Sequence, residues 1–175
     1  MIEQLHGNPV SAVADQPLQF LRFALADGIY AVPIDAVREI LEVGPCTPLP
    51  LMPSFVRGVM NLRGAVVPVV DLAARLGLPE AVPGRRSCIV VVEVRADEDS
   101  GAATQVLGLL VDAVHEVLDT EAGSLEEAPA LGTRIEPRYI AGIARTRQQM
   151  VTVLDLPRTL DADELADLIG QHTQH

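Results

Sequence analysis

FVRGVMNLRGAVVPVVDLAARL at 55–76 and YIAGIARTRQQMVTVLDLPRTL at 139–160 align without a gap at a spacing of 84 residues. Gly58 falls on Gly142, Arg63 on Arg147, Val67 on Val151, Val69 on Val153, Asp71 on Asp155 and Leu72 on Leu156. A second pairing precedes the first in each half, YAVPIDAVREIL (30–41) over LGLLVDAVHEVL (107–118) at a spacing of 77. It sets Ile34 on Val111, Asp35 on Asp112, Val37 on Val114 and Glu39 on Glu116. Two matches in the same order mark a duplicated unit, and a duplication governs the whole fold. The expected organisation is two homologous subdomains, 18–86 and 87–160, with a flexible tail at 1–17 and a helix and tail at 161–175.

Working outward, each half reads as short strands. Leu18 to Leu25 is a strand, Asp27-Gly28 is a hairpin turn signal, and Ile29 to Ile34 returns. Asp35 starts a single turn before an extended stretch from Val37 to Val43. Pro45, Pro48, Pro50 and Pro53 forbid a central strand in the segment that follows. Gly58 to Leu62 and Val66 to Val70 make a hairpin around Arg63-Gly64, and a short helix follows that Gly77 and Pro79 stop. In the second half Cys88 to Arg95 pairs with Thr104 to Val111 across an exposed ADEDSGAA tip, and Glu121 to Glu136 is an acidic connection. Abundant valine (22 residues) cut up by 13 glycines and 13 prolines suits small closed or nearly closed barrels rather than a βαβ sheet.

Composition narrows the function classes. The 175 residues carry a net charge of −11, which argues against nucleic acid and anionic membrane as main partners. No run approaches the roughly 18 apolar residues of a membrane helix, and the start Met-Ile-Glu-Gln lacks the pattern of a signal peptide. The expected location is therefore the cytoplasm. Two cysteines, Cys46 and Cys88, exclude a disulfide scaffold or a four-cysteine zinc site. Charge is uneven: 20–90 holds six acids and seven arginines, whereas 93–136 holds eleven acids and two arginines.

No catalytic constellation emerges. The histidines His6, His115, His172 and His175 show no metal-ligand spacing, and no nucleophile elbow or phosphate-binding loop occurs. Cys88 opens an apolar strand and reads as a core thiol. Asp71 and Asp155 stand at strand ends, where each is expected to cap the helix behind it. An enzyme would have to use Asp71, Asp155 or His115 in a cleft between the barrels. Recognition remains. Arg63, at the tip of an apolar hairpin, presents a rigid fork suited to a carboxylate or carbonyl partner. Its two readings, an internal pair with Glu39 and a binding residue, are compatible.

The string FVRGVMNLRGAVVPVVDLAARLGL, preceded by YAVPIDAVREILE, resembles the CheW family of chemosensory coupling proteins. The second half is similar too, and the likeness covers about 18–160. It implies an all-β fold with short helices, two homologous five-stranded SH3-like β-barrel subdomains packed around a hydrophobic groove. It also implies a free-standing adaptor without catalysis, cofactor or metal. The implied partners are the regulatory domain of a CheA-type histidine kinase and the cytoplasmic tips of methyl-accepting chemoreceptors, gathered in arrays. Carried over by position, the receptor-binding residues are Val37, Glu39, Gly58, Asn61, Arg63, Cys88 and Ile89. In that reading Val37 and Ile89 are apolar anchors, Arg63 fixes orientation, and Gly58 leaves room for a receptor helix. The second repeat departs from the pattern at Arg145-Thr146-Arg147-Gln148-Gln149, and the ADEDSGAATQ tip is longer than usual for the family.

Overall fold

Among the described residues, short apolar and alternating runs lay down ten strands: β1 (Leu18–Leu25), β2 (Gly28–Pro33), β3 (Val37–Glu42), β4 (Val56–Leu62), β5 (Ala65–Asp71), β6 (Cys88–Val94), β7 (Gln105–Val111), β8 (Ala113–Thr120), β9 (Ile140–Arg145) and β10 (Met150–Leu154). Short helices α1 (Leu72–Arg75) and α2 (Leu156–Leu160) follow β5 and β10. The computed structural model describes residues 18–79, 81–95, 104–120, 125–128, 134–146 and 149–160. The expected tails at 1–17 and 161–175, the tip at 96–103, most of the acidic connection, and Arg147 with Gln148 lie outside the described residues.

The strands form two five-stranded sheets, ordered β8-β1-β2-β10-β9 and β3-β6-β7-β5-β4. Advancing every strand number by five turns one order into the other, so the duplication is carried by the topology. Each sheet has one parallel contact, β2 with β10 and β5 with β7. The boundary between the repeats, at 86 and 87, does not separate the sheets. Each repeat gives its first two strands to one sheet and its last three to the other. The reason is that duplicated strands carry the same apolar pattern, and a short 3-10 turn at Ile34–Ala36 carries the chain from β2 across to the other sheet.

The all-β class with two five-stranded units holds. The sheets are open, however: among the described residues no ladder joins β8 to β9 or β3 to β4. Both faces of each sheet are apolar, as a barrel-like unit needs. Phe23, Leu25 and Val32 of one sheet meet Val70, Val90, Val92, Leu107 and Leu109 of the other in the central core. On the outer faces lie two smaller clusters, one around Phe20, Val151 and Val153, the other around Val69, Ile89, Val91 and Leu110. Such two-sided burial explains why β6 opens as an unbroken apolar run from Cys88 to Val92.

Three details show how tertiary contacts refine local signals. The β1–β2 turn falls at Ala26-Asp27, one residue earlier than Asp27-Gly28, with Leu25 opposite Gly28. Ala26 accepts a φ of 51° there, and its N–H donates to Asp112 Oδ2 at 2.8 Å. Asp71 and Asp155 cap their helices as expected, accepting from the N–H of Ala74 at 3.2 Å and of Arg158 at 3.1 Å. At the pseudo-twofold, Arg75 of α1 stacks over Phe55 and Tyr139, which are repeat equivalents, 4.7 and 5.8 Å from their centroids. Its Nε donates to the carbonyl of Thr159, its own counterpart in α2, at 2.6 Å.

Candidate binding surface

The β4–β5 hairpin closes with Leu62 opposite Ala65 and only Arg63-Gly64 between them. Both central residues have positive φ, 54° and 86°, which a two-residue turn matched to strand twist demands. Glycine meets that demand freely, whereas arginine is strained by it. Asn61 compensates: its Oδ1 accepts the Gly64 N–H at 3.0 Å and holds the turn. The tip therefore presents the Arg63 side chain in a set direction.

That direction is toward β3 on the opposite edge of the sheet. The Arg63 fork donates to Glu39 in bidentate fashion, Nη2 to Oε1 at 2.9 Å and Nη1 to Oε2 at 2.5 Å. The hydrogen bond from Arg63 holds the Glu39 carboxyl below the usual glutamate range, and Glu39 in turn pushes the guanidinium up. Arg63 is 72% exposed and Glu39 24%. Exposed pairs of this kind contribute little to stability, so the pair shapes a surface rather than holding the fold.

Beneath the pair lies a concavity of about 440 Å³, with Arg38, Glu39 and Arg63 at its rim and Val67, Val91 and Val106 among its lining. Val66, 57% exposed, stands at its lip. The floor is apolar because β5, β6 and β7 turn valines outward here, into the outer cluster of this sheet. A β-bulge between Val37 and Glu39 sets the geometry. It sends Val37 toward the central core and Glu39 toward the outer face.

The seven residues carried over by position thus divide. Glu39, Asn61 and Arg63 come together at the hairpin tip. Val37 is half-buried against the central core, so the bulge sets it apart from Glu39. Cys88 lies at the far end of β6, opposite Glu42 and half-buried against the central core. Ile89 is 1% exposed. A strand covered on both faces buries this residue, expected as an apolar anchor, and it supports the floor from within. The reason given for Gly58 also changes. At a φ of +141° a Cβ there would sit 2.3 Å from the Thr47 carbonyl oxygen, so the space is filled by the chain itself. Thr47 and Val59 exchange backbone hydrogen bonds of 2.8 and 2.9 Å across this approach.

Reading the sequence alone overlooked Arg38, Val66, Val67, Val91 and Val106, which complete the rim and floor. Their signal was alternation on β3, β5, β6 and β7, legible only once the strands are placed side by side. The residues considered for catalysis are committed elsewhere. Asp71 is buried, and its second oxygen accepts the Ala81 N–H at 3.1 Å. Asp155 caps α2, and His115 lies exposed on edge strand β8. Burial pushes the Cys46 thiol up, away from the thiolate a nucleophile needs.

Comparison with known proteins places this geometry in a family. Residues 19–164 match the CheW-like domain. The chain is 35% identical over 146 residues to Chemotaxis protein CheW of Rhizobium meliloti (strain 1021), covering 83% of this chain and 89% of that one. It is 31% identical to Protein FrzA of Myxococcus xanthus, over 86% of this chain and 90% of the relative. The crystal structure of the scaffolding protein TtCheW from Thermoanaerobacter tengcongensis matches with a TM-score of 0.70 and 34% identity, covering 81% of this chain and 86% of that one. A duplicated ten-strand fold, an NLRG hairpin on the rim of an apolar concavity, and these likenesses agree: the chain belongs to the CheW-like domain family.

Proposed function

We propose that this chain is a non-catalytic chemosensory adaptor that couples methyl-accepting chemoreceptors to a CheA-type histidine kinase, so that receptor state controls kinase autophosphorylation. The observation that carries the reading is the exposed, bidentate Arg63–Glu39 pair over an apolar concavity, in a chain of this family. A receptor tip is a helical hairpin, and a helix laid into a groove takes apolar anchors along one face. Val66 and Val106 supply apolar contact, and Arg63 and Glu39 set orientation through directional polar bonds. Such signalling contacts are modest, near or below about 1,200 Å² of total buried surface. An array of receptors, kinase and adaptor strengthens them by multivalency. In this reading the protein works in the cytoplasm at receptor arrays and uses no cofactor.

A second reading keeps the adaptor role but places it in a pilus-driven or surface-sensing pathway. The similarity to FrzA, a relative not named CheW, favours it. Both are tested by titrating receptor-tip fragments and the kinase regulatory domain into wild-type and Arg63→Ala protein by calorimetry. Wild type binds both. Arg63→Ala lowers receptor-fragment affinity by roughly tenfold while its melting temperature stays essentially unchanged. Undiminished receptor binding by folded Arg63→Ala, or binding of neither partner by wild type, refutes the assignment. Capture from native lysate with mass spectrometry then identifies the pathway, and a helical partner that is not a receptor would point to a different scaffold.

A further inference from the structure

The bulge on β3 decides which side chains reach the concavity. Val37 lies opposite Val92 and Glu39 opposite Val91, so Arg38 is the extra residue between two consecutive ladder positions. In a regular strand, with Val37 facing the central core, Arg38 would point outward and Glu39 back inward. The bulge breaks that alternation, and both Arg38 and Glu39 line the concavity. A cation and an anion therefore stand side by side at one rim.

The two arginines of the rim differ in what they hold. The fork of Arg63 is spent on Glu39, with both terminal nitrogens donating. Among the described residues Arg38 makes no hydrogen bond, and its ion pair is a long one, Nε to Glu93 Oε2 at 3.9 Å. Glu93 is held from its other side, where the Thr104 hydroxyl donates to Oε1 at 2.9 Å. A guanidinium carries five N–H donors in a rigid fork, and its best-matched acceptor is a carboxylate. The concavity thus has one arginine already matched and one whose donors are still to be used, next to the exposed apolar lip at Val66.

We propose that Arg38 takes a carboxylate of the partner, so that the groove selects a helix carrying an aspartate or glutamate beside its apolar face. On binding, the guanidinium exchanges its 3.9 Å pair with Glu93 for a bidentate bond to that carboxylate. Glu93 is the internal competitor for the same donors. The inference rests on the reading of this groove as the receptor site, and it names the chemistry the site reads.

The test titrates one receptor-tip fragment by calorimetry into full-length wild type, Arg38→Gln, Arg38→Lys and Glu93→Gln, at low and high salt. Arg38→Gln weakens binding roughly tenfold, and its affinity depends less on salt than that of wild type. Arg38→Lys, which keeps the charge without the fork, loses less. Glu93→Gln tightens binding about threefold, and the gain disappears when Arg38→Gln is added. All variants keep the wild-type melting temperature, because the Arg38 and Glu93 side chains are 54% and 40% exposed. Single Glu→Gln and Asp→Asn changes along the fragment identify the acid: one of them weakens binding to wild type and leaves binding to Arg38→Gln unaltered. Equal affinities of wild type and Arg38→Gln, or a Glu93→Gln gain that survives without Arg38, overturn the role of Arg38 while the receptor reading stands. A wild type that binds no receptor fragment refutes the receptor reading, and the inference falls with it.

Discussion

Arg63 sits at a φ of 54° because Asn61 fastens the next amide to its own side chain, and because Glu39 receives the guanidinium across the sheet. Asn61 thus serves the site by holding the turn that aims Arg63. The electrostatics give a pH signature. Glu39 is held below the usual glutamate range, so the pair is complete above the titration of a free glutamate and is lost as pH falls through the lowered value. At neutral pH it is intact. Carboxyl carbon chemical shifts followed by NMR will place the Glu39 midpoint lower in wild type than in Arg63→Ala; identical midpoints would remove the pair from solution. The carboxylate partner of Arg63 was among the alternatives open from sequence, because Glu39 and Glu116 recur as acids at one repeat position. The burial of Ile89 was not, because an apolar residue in an apolar run carries no mark of which face covers it.

At the level of elements, the proline-rich segment after β3 earns its place beside β4. Thr47 forms a lone bridge with Val59, and the approach is close enough to exclude any Cβ at Gly58. The second repeat copies the arrangement, with Glu126 bridging Ile143 and Gly142 beneath it. There the fit is looser: a Cβ at Gly142 would meet the Leu125 Cβ at 2.9 Å, and its φ is not positive. Gly58→Ala should therefore destabilise the fold by about 2–4 kcal/mol, lowering the melting temperature by roughly 5–15 °C. Gly142→Ala should cost less. Equal melting temperatures for the two variants would contradict this reading. A glycine substitution at 58 consequently disturbs any partner site through the fold beneath it, which amide exchange at Thr47 and Val59 will reveal. Strand positions were legible from alternation, and the β4–β5 hairpin from its Arg-Gly turn. The Thr47 bridge was not, since its two sides lie far apart in the chain and prolines conceal the extended residue between them.

For the whole molecule, the exchange of strands between repeats binds the two halves into one folding unit. Each sheet draws strands from both repeats, and the central core mixes side chains from both sheets. Neither 18–86 nor 87–160 holds a complete sheet. Expressed alone, each fragment should lack cooperative thermal unfolding and dispersed NMR amide signals. Mixed, the two should reassemble into a complex with native-like spectra. A separately folded fragment 18–86 would show that the repeats are independent units after all. The same duplication multiplies features: among the described residues, paired bulges and paired bridges arise from one pattern.

Order along the chain and side-chain periodicity suffice for the duplication, the all-β character, the two helix caps at Asp71 and Asp155, and the hairpin that carries Arg63. These depend on neighbours close in sequence or on the matching of equal patterns. Which repeat supplies each strand's partner, which face of β6 covers Ile89, and what Gly58 makes room for belong to the folded molecule. Equivalent strands present the same apolar face and the same backbone donors and acceptors, so local pattern pairs them equally well within a repeat or across it. Only the packing of the two sheets around a common core selects between those arrangements.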